Sequence, residues 1–231
     1  MNTKLALQRR VCINQRLRCR ATSCESQRFA VSPFCKMHSR RVERHGHPEG
    51  RAVHPQRDYG LEHQLVARFI KEQRQHPAIV CALAWLQGWL DHSTQDDTKA
   101  PARQHMQRLA GHGVTATDIL TEAAALVLLA RWKPQALSDD VRLDFAIGSR
   151  VLALAPLDKR HGGMRGGRPR IYSAAIGKVA RRTVGNRIRS RLAALFTNMV
   201  IALEAQELAD RQRRKDLEAP FINPPHLGIN E

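Results

Sequence analysis

Cys19, Cys24, Cys35 and His38 follow one another as Cys-x4-Cys, a ten-residue gap, then Cys-x2-His. Three thiols and one imidazole at such spacing suit a tetrahedral zinc ion, and four protein ligands leave that ion no open coordination position. A closed site of this kind folds a small module and does not activate a water. Cys19 and Cys24 are expected on a tight knuckle, in which Ser23 is a tolerated small residue. Pro33 breaks the chain before Phe34 and Cys35, and KMHSRRVERH then reads as a short helix stopped by Gly46 and Pro48. Cys35 and His38, three apart, share one side of its first turn. Knuckle and helix together make a treble-clef-like arrangement. Cys12 is not needed to complete the set, and His45 and His47 read as a turn around Gly46. Ligand replacement by any of these three stays open.

The charge balance says what such a module would serve. The 231 residues include 38 basic and 21 acidic side chains, a net charge of +17 that points to polyanions, nucleic acid before anionic membrane. The distribution is uneven: net +9 over residues 1–60, zero over 61–157, and +8 over 158–231. A neutral middle between two basic ends describes a scaffold that contacts polyanion at both. No run reaches the roughly 20 apolar residues that span a bilayer, so no membrane partner is expected. MNTKLALQRR has no apolar stretch of secretory length. Three of the five cysteines sit in metal-ligand spacing, which fits a reducing compartment better than a disulfide framework. The expected location is the cytoplasm.

Residues 1–18, with Arg9, Arg10, Arg16, Arg18 and no acid, read as a basic arm, and 51–60 as a polar linker. From Leu61 the pattern turns helical. Leu61, Leu65, Phe69 and Ile70 mark one face; Pro77 opens a second, nearly all-apolar helix holding Cys81, Trp85 and Trp89, all read as core. A third helix stops at Gly111. Thr115-x-x-Asp118 resembles a capping box for a fourth, whose stripe is Ile119, Ala123, Leu126 and Ala130. Asp139 and Asp140 suit the N-terminus of a fifth, closed by Pro156. These five helices predict one α-helical core over 61–157.

The stretch 158–172, DKRHGGMRGGRPRIY, is too rich in glycine and arginine for a core and reads as a flexible linker. Within it, Gly167-Arg168-Pro169, with Arg165 and Arg170 nearby, resembles the Gly-Arg-Pro centre of an AT-hook, which lays arginines in a narrow minor groove. A basic helical segment is expected over 173–216, with an apolar stripe from Ile176 and Val179 to Leu203 and Leu208 and a break at Gly185-Asn186. Eleven basic groups and no acid lie between Lys159 and Arg191, among them Lys178, Arg181, Arg182, Arg187, Arg189 and Arg191. Solvated charges on a helix usually include acidic partners four residues away, so this stretch predicts a phosphate-binding surface. The balanced part, 188–210, suits packing or self-association, and 217–231 reads as a proline-rich tail. The predicted fold is therefore mainly α: a zinc module over 19–50, a helical domain, and a long basic C-terminal helix or helix pair.

The residues Cys19, Cys24, Cys35, His38, Arg41, Gly46 and Pro48 resemble a short zinc-binding segment of phage and mobile-element proteins, often attached to HNH homing endonucleases. The chain departs from it at Ser39 and Val42, where an aromatic residue and a tryptophan are frequent. The resemblance covers residues 19–50 and implies a zinc ion and a DNA-directed role; the expected location is the bacterial cytoplasm or nucleoid. The nuclease's paired histidines with asparagine do not occur downstream, so its activity is not carried over. The leading expectation is a non-enzymatic protein binding nucleic acid, double-stranded DNA before RNA, through Arg40, Arg41 and Arg44 of the zinc helix and the basic residues named above. The alternatives are a nuclease or recombinase, for which Tyr172 is the one candidate nucleophile among basic groups, and a phage or host-interaction protein whose helical core docks a partner.

Overall fold

The structure is a computed structural model that describes residues 3–95, 101–157, 159–165, 168–173 and 176–222, with side chains described except at 94–95, 101, 159–173 and 215–222. It is mainly α, as the periodicities predict. Ten helices and one two-stranded ribbon occur among the described residues: α1 Thr3–Gln15, α2 Lys36–His45, α3 Pro55–Asp58, α4 Gly60–Glu72, α5 Pro77–Gln95, α6 Pro101–Gly111, α7 Ala116–Trp132, α8 Asp140–Val151, β1 Lys159–Arg165, β2 Arg168–Ser173, α9 Lys178–Arg191 and α10 Ala193–Ile222.

Helix α7 is the centre of the core. Its stripe is wider than the sequence pattern suggests, because Leu120, Ala124, Ala125, Leu128 and Leu129 are buried along with Ile119, Ala123 and Leu126. Helices α4, α5, α8, α9 and α10 all touch it, which is why apolar residues are needed nearly all round. The expected capping box starts it: Thr115 Oγ1 accepts from the Asp118 amide at 3.2 Å and Asp118 Oδ2 from the Thr115 amide at 2.9 Å. Asp139 caps α8 in the same way, accepting from the Arg142 amide at 2.8 Å.

Several expectations change. Residues 3–15 form a helix rather than an arm, one that buries no side chain and is tied down at its end by Asn14, which donates to the carbonyls of Ala30 at 2.8 Å and Ser32 at 2.7 Å. The segment 51–60 is not a free linker: it holds α3, and Tyr59 is fully buried in the core. Cys81 is exposed, because Ile79, Ala82 and Leu86 take the inward side of α5. Trp85 and Trp89 pack against the core only in part and stack on each other, with ring centroids 5.6 Å apart.

The glycine-rich stretch pairs as an antiparallel ribbon, with Arg160 opposite Tyr172 and Arg165 opposite Arg168. Arg168 and Pro169 are thus held in β2 and do not form a free extended segment; Gly167 of the expected hook lies outside the described residues. Helix α9 runs through Gly185-Asn186 without a break, and the chain bends instead by 70° after Arg191. Ile188, Leu192, Phe196, Met199 and Leu203 are buried in this chain's own core, so most of the stripe expected for packing or self-association packs internally; Val179 and Leu208 are exposed. Helix α10 extends to Ile222, beyond the expected start of the tail, and 223–231 lie outside the described residues. Among the described residues no single helix is long and apolar enough to cross a membrane.

Candidate metal centre and nucleic-acid interface

The knuckle between Leu17 and Arg28 is a narrow loop pinned by backbone bonds. Arg28 donates to the Leu17 carbonyl at 3.0 Å and Cys19 to the Ser26 carbonyl at 2.8 Å. Ser23 takes a left-handed backbone at φ 56°, which lets the chain reverse between Cys19 and Cys24. Cys35 is the N-cap of α2, so His38 returns to the same side one turn later. The four ligand atoms lie within 4.8 Å of one another. His38 Nδ1 is 3.4 Å from Cys19 Sγ and 3.3 Å from Cys35 Sγ. A tetrahedral ion bound at about 2.3 Å by sulfur and about 2.0 Å by nitrogen spaces its ligands about 3.5–3.8 Å apart, so this cluster is close enough to hold one.

The surroundings act on the cysteines in opposite directions. Backbone amides of Ala21 and Cys35 point at Cys19 Sγ, at 3.5 and 3.2 Å. The Ser26 amide draws the Cys24 thiol below its ordinary value, whereas burial pushes the Cys35 thiol up. A positive ion among them would remove that penalty. Cys12 is exposed on α1 and, with His45 and His47, stands outside the cluster. His47 instead closes the expected turn, its Nδ1 accepting from the Glu49 amide at 3.2 Å, and Gly46 takes the left-handed φ of 76° that ends α2.

Beyond the ligands, α2 presents its arginines in a concave cleft of about 810 Å³. Arg40, Arg41 and Arg44 line it with Lys36 and Arg51, and Glu49 is the one acid among its described lining residues. A smaller cavity of about 220 Å³ lies behind, between the end of α2, α8 and α9, and reaches Arg142, Arg150 and Arg181. Arg181 spans the junction, donating to the Arg44 carbonyl at 2.7 Å.

The basic residues of α9 do not act as one face. Lys178 and Arg182 are exposed. Arg187 lies over the Trp89 ring, 4.9 Å from its centroid. Arg189 is paired with Asp144 at 2.6 Å and Asp140 at 3.1 Å, so its acidic partners come from α8, across the helix crossing, and not from its own helix. Arg191 is exposed beside Cys81 and Trp85. Arg165, Arg168 and Arg170 lie on the ribbon, where only the backbone is described. Pattern does not single out Arg51 and Arg142, which also line these spaces: one sits in the expected linker and the other on a helix that pattern assigns to the neutral core.

A second buried group of charges holds the core. Tyr59 donates to Glu122, and Arg150 Nε donates to the Tyr59 hydroxyl and to Glu122 Oε1, both at 2.8 Å. Lys133 pairs with buried Glu62 at 2.8 Å. Burial and the Glu122 carboxylate hold the Tyr59 hydroxyl protonated far above its ordinary range. Compared with protein-family models, curated proteins and solved structures, the chain matches none of them.

Proposed function

We propose that this protein binds nucleic acid, duplex DNA before RNA, without catalysing a reaction on it, and that Cys19, Cys24, Cys35 and His38 hold a structural zinc ion. Three thiolates and one imidazole favour zinc among the common divalent ions, and a fully protein-ligated ion has no position for substrate. The observation that carries the reading is the α2 cleft, where Arg40, Arg41, Arg44, Arg51 and Lys36 converge against a single acid. The metal fixes the start of α2, and the helix then displays guanidinium groups that suit phosphate oxygens. Exposed Lys178 and Arg182 and the Arg-rich ribbon add basic surface, and a two-stranded ribbon is an element that the major groove admits. The resemblance of residues 19–50 to modules of phage and mobile-element proteins directs the reading to DNA and to such an element.

Polarisation titrations with duplex DNA, single-stranded DNA and RNA test it. About four phosphate contacts give a slope of log K against log salt near −3.6, so duplex affinity falls about 100-fold between roughly 50 and 200 mM salt. Binding that stays flat over that range would sink the proposal.

A further inference from the structure

The junction between the Cys/His module and the helical core is built from like charges. Arg44 and His45 at the end of α2, Arg51 from the following loop, Arg142 and Arg150 from α8 and Arg181 from α9 surround the cavity of about 220 Å³, and no carboxylate is among its described lining residues. Arg51 and Arg150 have acids behind them, Asp58 at 3.1 Å and Glu122 at 2.8 Å. Arg44, Arg142 and Arg181 form no ion pair among the described residues. Among the described residues the Arg142 side chain reaches Ser138 Oγ and the Ala136 carbonyl, both at 3.0 Å. Arg181 is half-buried, and its Nε has no hydrogen-bond partner among the described residues.

Cations converging on one space repel, most strongly where water is excluded; Arg142 and Arg181 are half-buried here, whereas Arg44 is exposed. Across the junction Gly46 lies against the Phe145 ring, and Arg181 reaches the Arg44 carbonyl. An anion in the cavity would turn the repulsion into attraction from three elements at once. The cavity has several times the volume of about 30 Å³ that a water takes in the liquid, room for a tetrahedral oxyanion and some waters. His45 senses the same field. Burial and then Arg181, Arg44, Arg41 and Arg142 hold its pKa below the ordinary value, with Arg51 and His54 also lining the space.

We propose that this cavity is a phosphate-binding site that locks the Cys/His module onto the helical core. Guanidinium groups from α2, α8 and α9 supply the forked donors that phosphate oxygens accept. The site rests on the nucleic-acid reading only for the source of the phosphate, which can be a backbone diester, a terminal monoester or free inorganic phosphate.

The test follows the His45 ring by NMR in the full-length, metal-loaded protein, titrating pH in sodium phosphate and in sodium chloride at matched ionic strength. Phosphate is expected to raise the His45 midpoint saturably, by about one pH unit, since a neighbouring anion favours the charged ring. Arg44→Gln, whose side chain makes no hydrogen bond among the described residues, is expected to weaken that saturation about tenfold while the fold is kept. Equal His45 midpoints in the two salts, or an Arg44→Gln protein that saturates like the parent, would overturn the site. Duplexes with a 5′-phosphate and with a 5′-hydroxyl then compete against inorganic phosphate. Competition by both assigns the cavity to backbone phosphate, by the first alone to a terminus, and by neither to free phosphate. DNA binding with no phosphate effect on His45 would remove the cavity and leave the proposed function; a phosphate effect without DNA binding would do the reverse.

Discussion

A Cβ built on Gly185 in α9 would collide with the carbonyl oxygen of Asp144 in α8. The contact is reciprocal: a Cβ on Gly148 in α8 would collide with the carbonyl of Arg181 in α9. Each helix therefore contributes one glycine to a crossing at which the two backbones touch. That closeness brings Asp144 to Arg189 at 2.6 Å and to Asn186 at 3.1 Å, so a buried carboxylate is satisfied across the seam. It also sets Arg181 beside the Arg44 carbonyl and so fixes the wall on which the Cys/His module rests.

Gly185→Ala should therefore cost far more than helix propensity can return. The obstructing atoms are backbone, which cannot rotate away, and overpacking of this kind costs about 3 kcal/mol or more. For a chain of this size the melting temperature should fall by roughly 6–12 °C. Gly88→Ala is the control: nothing lies within 4 Å of a Cβ there, and the change in α5 should stabilise by about 0.5–1 kcal/mol. Thermal melts of the two proteins that shift in the same direction would refute the crossing.

Tyr59 gives a pH signature. Its folded pKa lies above the unfolded value of about 10, so the native state keeps a proton that the unfolded chain loses. Stability from this group is intact below about pH 10 and declines as pH rises further, by up to about 1.4 kcal/mol per pH unit. The chain has two tyrosines. In a Tyr172→Phe protein, absorbance at about 295 nm should show no tyrosinate until the helical circular dichroism collapses; ionisation before unfolding would show that Tyr59 is not held by Glu122.

The Cys/His cluster and α7 are legible in the sequence because each rests on local chemistry. Cys35 and His38 are one turn apart, and Thr115 and Asp118 satisfy one helix end between themselves. Gly185 reads as a break in sequence because its reason lies in α8, a contact that composition within α9 cannot reveal. Arg189 follows the same cause: its own segment holds no acid, and its partners Asp140 and Asp144 lie on the neighbouring helix. Tyr59 was lost in a polar stretch, since one buried aromatic among charged neighbours carries no periodic signal. The cationic junction gathers residues from α2, α8 and α9, and no window of sequence contains it.

Arg189 and Arg182 should separate stability from binding. Arg189→Met leaves the Asp144 carboxylate buried with Asn186 as its remaining donor, and losing one member of such a pair costs about 3 kcal/mol. Arg182 is exposed with no ion pair among the described residues, so Arg182→Gln should leave the melting point within about 0.5 kcal/mol of parent. If α9 touches phosphate, the same change flattens the salt slope by about one contact. An Arg189→Met protein as stable as parent would show that the α8–α9 seam does not depend on this pair.

The cluster itself predicts a graded response to cysteine replacement. Cys24→Ser should lower bound metal from about one ion per chain to a small fraction, read by elemental analysis, because structural zinc supplies about 10–16 kcal/mol of folding energy that three remaining ligands cannot match. Cys12→Ser and Cys81→Ser should keep full metal, since both thiols are exposed and outside the cluster. Most helical signal should survive in Cys24→Ser, because the core around α7 is built without residues 19–50. Its DNA affinity should fall together with the metal, as α2 loses the turn that aims Arg40, Arg41 and Arg44. Acid should act like the substitution: ligand thiols must be deprotonated to bind, so metal occupancy declines as pH falls and returns on neutralisation. A Cys24→Ser protein that binds DNA as tightly as parent, with its metal gone, would detach the module from the function proposed for it.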